Sequence, residues 1–442
     1  MTILVILVGL LILSIMMIVH ELGHFLAGKA LGFKILSYNI FMGPILWSKR
    51  GKDGILYTIR LLPIGASVEF AGETPENAPN VQGEDAGAAA ITPDDPGLFF
   101  KRPRWARAIV IFMGPFINFL TAFLALAILF LASGVSMPII GEVKAGSQAD
   151  LAGIRPEDRI VSMDGLAVHS SLDLSMAEMF GNGGELDLVL RHPDGRVEAL
   201  SLPRETVKTY RLGIMYTPRP DGRMIVESVQ SEEGKEQLLQ PEDEILTVDG
   251  RKVTAPDFLE LSGEPRKTIE ARILRQGKEM TLELPGITAE VRKSPGYSLR
   301  GNKNAGEALG QALIYPWSIV RSTVRGIGQI FTGRLKARDG LAGPVAIVGM
   351  VGGVVREKIS FVAKIFQLLL YFGFISVAVG FTNLLPIPPF DGFHLLTLAI
   401  EGTIRRDLPL KLKNAIATLG FFIIIALAVL VFYLDITRLL GF

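Results

Sequence analysis

Apolar residues are concentrated in four long runs separated by polar stretches. Crossing a bilayer takes about 20 mostly apolar helical residues, and each run has that length. We therefore predict four membrane-spanning helices, at residues 3–28, 107–132, 365–385 and 414–435. The first run has no Lys or Arg before Lys29 and no small-residue cleavage site after it. It is therefore interpreted as a retained helix and not as a signal peptide.

Between the second and third runs the pattern changes to short alternating segments, and it repeats. Arg155–Gly165 matches Gln240–Gly250, 85 positions further along the chain. Alternating apolar residues follow each copy, in Glu185–Arg191 and Thr268–Leu274, which is typical of half-buried strands. The repeat predicts two β-rich modules, and the sequence of the first copy resembles PDZ domains. Such modules either bind extended peptides at a sheet edge or act as rigid spacers and a size filter.

Two further segments have a distinct pattern. Pro44–Phe70 alternates like a hairpin and a further strand, with turns at Lys49–Gly54 and Pro63–Gly65. Ala305–Ala346 is apolar and basic. This second segment either lies amphipathically on the membrane surface or packs against the spans, and the sequence leaves both open.

Composition and charge narrow the class. Hydrophobic residues make up 49% of the chain and charged residues 20%, which fits a membrane protein with sizeable soluble parts. The net charge of +1 gives no indication of a nucleic-acid partner. There is no cysteine, so thiolate ligands, disulfides and cysteine nucleophiles are excluded.

Basic residues are concentrated in the loop between the first two runs and in the loop between the last two. Cytoplasmic loops carry an excess of Lys and Arg. Both loops are therefore predicted to be cytoplasmic, with both termini and residues 133–361 on the outer side. The basic residues are Lys29, Lys34, Lys101, Arg102, Arg104, Arg107, Arg405, Arg406, Lys411 and Lys413.

The first apolar run contains His20-Glu21-Leu22-Gly23-His24. Residues four apart lie on one helix face, so both imidazoles can reach one zinc ion. Glu21 can then reach a metal-bound water as general base. This motif predicts water-requiring chemistry at membrane depth.

A catalytic zinc site usually has three protein ligands and one open position. Near the end of the third run, Asn383-Leu-Leu-Pro-Ile-Pro-Pro-Phe-Asp391-Gly392 contains three prolines that cannot continue a helix. An ionisable residue at such a break is costly and functional by default, so Asp391 is the favoured third ligand. His394 is the competing candidate. Asn383 either satisfies broken-helix backbone groups or contacts the backbone of a substrate.

The remaining candidates are given structural roles. His169 and His192 fall in turns of the β-rich modules and are predicted to be surface residues. Gly114-Pro115 with Asn118 in the second run is interpreted as a kink and helix-packing device.

This combination resembles the site-2 proteases, membrane-embedded zinc metalloproteases, and among them a bacterial branch that regulates sigma E. The likeness extends over nearly the whole chain. Its specific parts are His20-Glu21-x-x-His24, Gly114-Pro115-x-x-Asn118, the tandem PDZ-like repeat and Asn383…Pro386-x-Pro388-x-x-Asp391-Gly392.

The resemblance implies an intramembrane zinc metalloendopeptidase of the bacterial inner membrane. Its substrates would be single-span membrane proteins, such as an anti-sigma factor after a first extracytoplasmic cut, and remnant signal peptides. Zn²⁺ would be held by His20, His24 and Asp391, with Glu21 as base and Asn383 on the substrate backbone. The active site would face the cytoplasmic side, and both termini and the PDZ-like modules would be periplasmic.

The resemblance also implies that Pro44–Phe70 is a membrane-reentrant β element that presents an edge to an unwound substrate. The sequence departs from the family in two places. Phe390 replaces a leucine before Asp-Gly, and Leu61–Val68 lacks the second glycine and the aromatic residue of the family's "GGY" segment.

The expected fold is an α-helical membrane protein with four transmembrane helices, a membrane-reentrant β element and two inserted PDZ-like β-rich domains. The predicted regions are 1–132 with the first two spans, 133–210 and 211–290 as PDZ-like domains, 291–361 as a membrane-associated amphipathic segment, and 362–442 with the last two spans.

Two other function classes are weighed against the protease. A non-proteolytic PDZ membrane scaffold predicts a missing base or ligand, and the sequence has both. A metal transporter favours inverted repeats of spans, whereas the sequence repeats only in the β-rich region.

Overall fold

The computed structural model describes residues 3–73, 95–181, 184–211, 214–218, 224–229, 238–240, 242–252, 268–285, 287–292, 294–356 and 359–440. The helices are α1 (Ile3–Ala30), α2 (Arg104–Ser133), α3 (Gln148–Leu151), α4 (Ser171–Phe180), α5 (Ala305–Phe331), α6 (Ala337–Gly340), α7 (Pro344–Arg356), α8 (Phe361–Asn383), α9 (Asp391–Ile404) and α10 (Leu410–Leu440), with a 3₁₀ turn at Phe99–Lys101.

The strands come in one early pair and a later series. They are β1 (Ile35–Arg50), β2 (Leu56–Phe70), β3 (Ser136–Val143), β4 (Arg159–Met163), β5 (Leu166–Ala167), β6 (Leu186–Arg191), β7 (Val197–Leu202), β8 (Thr206–Arg211), β9 (Ile214–Pro218), β10 (Met224–Val229), β11 (Glu244–Val248), β12 (Arg251–Lys252), β13 (Thr268–Arg275), β14 (Lys278–Pro285), β15 (Ile287–Arg292) and β16 (Tyr297–Gly301).

Within the described ranges, four helices are long and apolar enough to cross a membrane, which agrees with the predicted number. Their apolar segments are Leu7–Ala30, Arg104–Ser133, Phe361–Asn383 and Leu410–Arg438. The chain separates into two compact units, one composed of Met1–Pro138, Leu166–Met179 and Leu299–Phe442, and the other of Ile139–Gly165 and Phe180–Ser298. The first unit contains all four apolar helices.

Strands β1 and β2 are each bent in the middle, so that two long strands form four short ones. Ser37–Ile40 pairs with Ala66–Glu69 on one side and with Leu56–Ile59 on the other. Phe41, Gly43 and Gly65 have positive φ at the bends, a conformation that glycine adopts without cost. The β element begins at Ile35, earlier than the predicted start at Pro44, because the run before Pro44 also pairs.

An apolar cluster fixes this sheet to the ends of α1 and α2 that flank the loop between them. Phe33, Ile35, Tyr38 and Phe70 are at most 8% exposed and pack with Phe25, Ala27, Ile55, Ala106 and Val110. Burying a large apolar side chain contributes about 1.5–3 kcal/mol. The sheet is therefore held rigidly beside the helix that carries His20 and His24.

The first β-rich module has a sheet of order β16-β3-β4-β6-β7, and the second has order β14-β13-β11-β10-β9. Strand β16 follows the second module in the chain but completes the sheet of the first. Strands β8 and β15, which lead into and out of the second module, pair with each other. The second module is thus inserted into the first, whereas the sequence assigned residues after 290 to the amphipathic segment.

The two modules share local geometry at equivalent positions. Glu157 and Glu242 both have φ near +70°, and Asp164-Gly165 and Asp249-Gly250 both form turns with positive φ. The Asp158 and Asp243 carboxylates each accept a backbone N–H three residues earlier, at 2.8 Å. The structure therefore contains the repeat that the sequence indicated, although it leaves the identification as PDZ domains a prediction.

One equivalent pair differs between the modules. In the first, His192 Nδ1 lies 2.7 Å from Asp158 and its Nε2 lies 3.0 Å from Glu198. In the second, Arg275 donates to Asp243 at 2.7 and 2.8 Å. His192 is only 9% exposed, so its prediction as a surface residue was wrong. The buried carboxylate of Asp158 requires a partner, and His192 provides it.

This pair is expected to make the stability of the first module depend on pH. Hydrogen bonds to Asp158 and Glu198 raise the pKa of His192. When the pKa of a histidine is higher in the folded than in the unfolded protein, its protonation stabilises the folded state. This stabilisation is fully present below the unfolded-state pKa of about 6.5 and is lost as pH rises through the folded-state pKa. We expect the first module to unfold at lower urea concentration at pH 8.5 than at pH 5.5, and His192→Arg to remove most of that difference.

The absence of native cysteine allows a direct measurement. A Leu188→Cys background, with the thiol at a position 1% exposed, reports unfolding of this module by thiol labelling. An equal pH difference in the His192→Arg protein would contradict the prediction.

Helix α5 begins with two side-chain caps. The Asn304 side chain accepts the Glu307 N–H at 2.9 Å, and Glu307 accepts the Lys303 N–H at 2.7 Å. Further along, Ile319 and Val320 pack with Ala122 of α2 and Val377 of α8. Of the two interpretations left open for this segment, the structure favours a helix packed against the spans.

Candidate metal centre

His20 and His24 lie one turn apart on α1, facing α2, and are 7% and 8% exposed. Glycines allow the two helices to approach closely there. A Cβ on Gly23 would overlap the Met113 carbonyl, and a Cβ on Gly114 would overlap the His24 ring and lie 2.9 Å from His20 Cε1. The missing side chain at Gly114 therefore leaves the space that the two imidazoles occupy.

The His24 ring is oriented by the backbone of α2. Its Nδ1 lies 2.8 Å from the Val110 carbonyl oxygen. A carbonyl only accepts, so Nδ1 carries the proton and donates it there. Nε2 is then the lone-pair nitrogen, which is the arrangement that metal-binding histidines adopt.

The non-helical loop after α8 places Asp391 beside His20 and His24. Helix α8 ends at Asn383, and α9 begins at Asp391 after a loop of prolines. A Cβ on Gly392 would overlap the Leu384 carbonyl. The loop therefore folds back tightly over the start of α9, and only glycine fits at that contact.

Three donor atoms converge. Asp391 Oδ2 lies 3.1 Å from His20 Nε2 and 3.5 Å from His24 Nε2, and the two Nε2 atoms are 3.2 Å apart. In the described part of the chain, Asp391 Oδ2 is buried and unsatisfied. Ligands about 2.0–2.1 Å from a tetrahedral zinc are about 3.3 Å apart, so the donor set fits zinc.

Glu21 lies beside these three donor atoms and is held in place by a strand. Its carboxylate lies within the same cluster, with ligand atoms of His20, Glu21 and His24 all within 4.8 Å of one another. Glu21 Oε2 accepts the backbone N–H of Val68 at 3.0 Å. The segment around Val68 pairs on one side with Ser37–Ile40, and its other side faces the site.

Replacing Val68 by proline is expected to reduce catalysis about 10–100-fold. It removes a hydrogen bond to a charged group, worth about 1.5–3 kcal/mol, where 1.4 kcal/mol is tenfold. Proline is tolerated on an edge strand when its N–H faces away from the ladder. Cleavage kinetics and bound zinc are measured together. Val68→Ala keeps the N–H and should retain activity, and equal losses in both variants would contradict the role of the N–H.

The structure brings all five predicted site residues together. Asn383 Nδ2 is 3.3 Å from His20 Nε2. His394 lies one turn further along α9, where it is exposed and contacts the Phe393 ring edge-to-face. Asp391, and not His394, contacts both imidazoles.

One nearby residue was not predicted as part of the site. Asn118, interpreted from sequence as a packing residue, is fully buried with Nδ2 3.2 Å from His20 Nδ1. A sequence signal existed, because an amide side chain inside an apolar span is costly unless it finds a partner.

The fold and the donor set together define a metalloprotease carried by apolar helices. The profile of Peptidase family M50 matches residues 8–427, and the chain belongs to this family. It is a zinc metalloprotease.

The relatives agree with this assignment. The chain is 26% identical to the regulator of sigma-E protease RseP of Escherichia coli K12, covering 97% of each chain. It is 28% identical to metalloprotease MmpA of Caulobacter vibrioides, covering 98% of this chain and 96% of the relative. A Vibrio cholerae relative, provisionally named a zinc metalloprotease, is 26% identical over 97% of each chain. The predicted family and the predicted zinc dependence are thus confirmed.

Proposed function

We propose that this protein hydrolyses a peptide bond within the transmembrane segment of single-span membrane proteins. His20, His24 and Asp391 hold the zinc ion, and Glu21 is the general base. The observation that carries the proposal is the convergence of three donor atoms within 3.1–3.5 Å of one another. Two of them come from a helix apolar enough to span a membrane, and Asp391 follows the end of another such helix.

The β element supports an intramembrane location, as a membrane-reentrant hairpin. The Ser14 hydroxyl donates to the Pro63 carbonyl, and Ser14 precedes His20 by six residues, or roughly 9 Å along α1. The bend reaching that depth exposes apolar side chains, Met42, Leu46, Leu61, Leu62 and Ile64 among them. The opposite end carries Lys49, Arg50, Lys52 and Asp53. This distribution suits a sheet whose apolar bend lies at membrane depth against α1, since non-helical backbone is tolerated there when it is packed against protein.

The chemistry requires a base, a fixed substrate and limited water. Zinc, when bound, supplies an activated water and polarises the scissile carbonyl. Glu21, held by the Val68 N–H, takes the proton from the attacking water and delivers it to the leaving amide nitrogen. Asn383, at the end of α8, hydrogen-bonds the substrate backbone on the other side of His20.

A helical substrate must unwind before its peptide bond is reached, because its amides are bonded within the helix. Apart from β1, no described strand pairs with Ala66–Phe70, so its outer edge offers replacement hydrogen bonds by strand addition. That edge runs past Glu21, so a strand added there brings its peptide bond to the base. This supports the edge as the binding site for the unwound segment.

The orientation follows from charge. Arg104, at the start of α2, pairs with Asp407 in the loop between α9 and α10 at 2.7 Å, so the two basic loops lie at one end. That end is assigned to the cytoplasm, and the active site lies toward it. The termini and the two β-rich modules, proposed to be PDZ domains, are periplasmic, in the inner membrane of a bacterium.

The substrates are assigned from the relatives. Because two relatives are named regulators of sigma-E protease, an anti-sigma factor already cut on its outer side is the proposed substrate, with remnant signal peptides as further ones. The modules would exclude substrates that retain bulky outer domains.

The test uses purified protein in detergent or liposomes with a single-span substrate in two forms. One form is truncated on its outer side and the other keeps a folded outer domain. We expect cleavage within the span of the truncated form, loss of cleavage on complete zinc removal and recovery on zinc addition. Cleavage outside the span, or undiminished cleavage without zinc, would overturn the proposal.

A further inference from the structure

Asn118 occupies an unusual position for a polar side chain. It lies in α2 with 0% exposure, its Nδ2 is 3.2 Å from His20 Nδ1, and its Oδ1 is buried without a partner in the described residues. A buried amide oxygen without a hydrogen bond costs about 1–3 kcal/mol.

The orientation of the Asn118 amide depends on which ring nitrogen of His20 carries the proton. If Nδ1 accepted from Asn118, the imidazole proton would sit on Nε2 and point at Asp391 Oδ2, 3.1 Å away. That tautomer cannot bind a metal through Nε2. A half-turn of the amide exchanges Oδ1 and Nδ2 with little change of shape. The turned amide places Oδ1 against Nδ1–H, so the oxygen gains a donor.

The Nδ1 atom of His24 also faces a hydrogen-bond acceptor on α2, but a different one. Its Nδ1 faces the Val110 carbonyl at 2.8 Å. Val110 and Asn118 are eight residues apart on α2, with Gly114 midway and against both rings. One face of α2 thus supplies an acceptor to each histidine, from the backbone for His24 and from a side chain for His20.

We infer that Asn118 is a positioning residue of the zinc site, whose side-chain oxygen accepts the Nδ1–H of His20 and fixes the tautomer that presents Nε2 to the metal. This inference rests on the ligand set in the proposed function. The packing role of Asn118 is separate, since its backbone carbonyl accepts the Ser376 hydroxyl at 2.9 Å whatever side chain is present.

Zinc and cobalt binding by the full-length protein test the inference without an activity assay. Asn118→Leu keeps the branched shape and the number of heavy atoms and removes the acceptor. We expect zinc affinity to fall about 10–100-fold, the usual effect of removing such an outer partner. Asn118→Asp restores an acceptor and should bind zinc at least as well as wild type. The visible spectrum of bound Co²⁺ should change in Asn118→Leu and resemble wild type in Asn118→Asp.

Ser376→Ala is the matched control, because it removes the neighbouring hydrogen bond and leaves the amide in place. It should bind zinc as wild type does. Wild-type affinity in Asn118→Leu, or equal losses in the Leu and Asp variants, would overturn the inference. The His20→Ala variant distinguishes a failure of this inference from a failure of the proposed ligand set. If it loses zinc while Asn118→Leu retains it, only the inference fails, whereas zinc retention in His20→Ala overturns the ligand set itself.

Discussion

Replacing Glu21 by glutamine is expected to reduce cleavage about 10²–10⁴-fold and leave bound zinc unchanged. Glutamine keeps the size of the side chain and its hydrogen bond from the Val68 N–H, but it cannot take a proton at neutral pH. The proposed zinc donors are His20, His24 and Asp391, so zinc binding should not depend on this carboxylate. Cleavage of the truncated single-span substrate and zinc content are measured on the same preparation.

Asp391→Ala is the matched comparison for that experiment. It removes a proposed ligand, so it should lose zinc and cleavage together, whereas Glu21→Gln should lose cleavage alone. Normal turnover by the Glu21→Gln protein would contradict the role of the base. Loss of zinc from it would instead indicate that Glu21 holds the metal.

Gly114→Ala is expected to abolish zinc binding and cleavage, although it adds a single methyl group in a helix that favours alanine. The added Cβ would overlap the His24 ring and lie 2.9 Å from His20 Cε1. Neither ring can yield easily, because His24 is tied to the Val110 carbonyl and both must keep Nε2 on the metal. The measurement is bound zinc after purification, with cleavage of the truncated substrate alongside.

Gly349→Ala in α7 is the control for the general effect of replacing a helical glycine. A Cβ there meets nothing within 4 Å, so zinc and activity should be those of wild type. Retention of full zinc content in Gly114→Ala would show that the helices separate freely at this contact. The rigid fit described above would then be wrong.

The sequence predicted the four apolar helices well because membrane spans are set by local composition alone. It also predicted Asp391 as a ligand, although His20 and Asp391 are far apart, because an ionisable residue at a proline break must find a partner. The convergence of these residues in the structure agrees with that hypothesis. Their roles remain to be measured.

Other features depend on pairings that local pattern does not encode. Strand β16 alternates like any short strand, and nothing in it indicates that it completes a sheet begun before the second module. The burial of His192 follows from its distant partner Asp158, and the contact of Asn118 with His20 follows from the approach of two helices. In each case the sequence shows the residue type but does not show which distant residue it contacts.

The separation of His20 and Asp391 along the chain also affects how the protein is made. The two ligands are 371 positions apart, on α1 and at the start of α9. At about 5–20 residues per second, a ribosome needs roughly 20–70 s to synthesise that length. During this interval the histidine-bearing helix has been made but its proposed carboxylate partner has not. On the proposed ligand set, the nascent chain therefore cannot cut neighbouring membrane proteins until Asp391, which follows its own third apolar helix, has been synthesised.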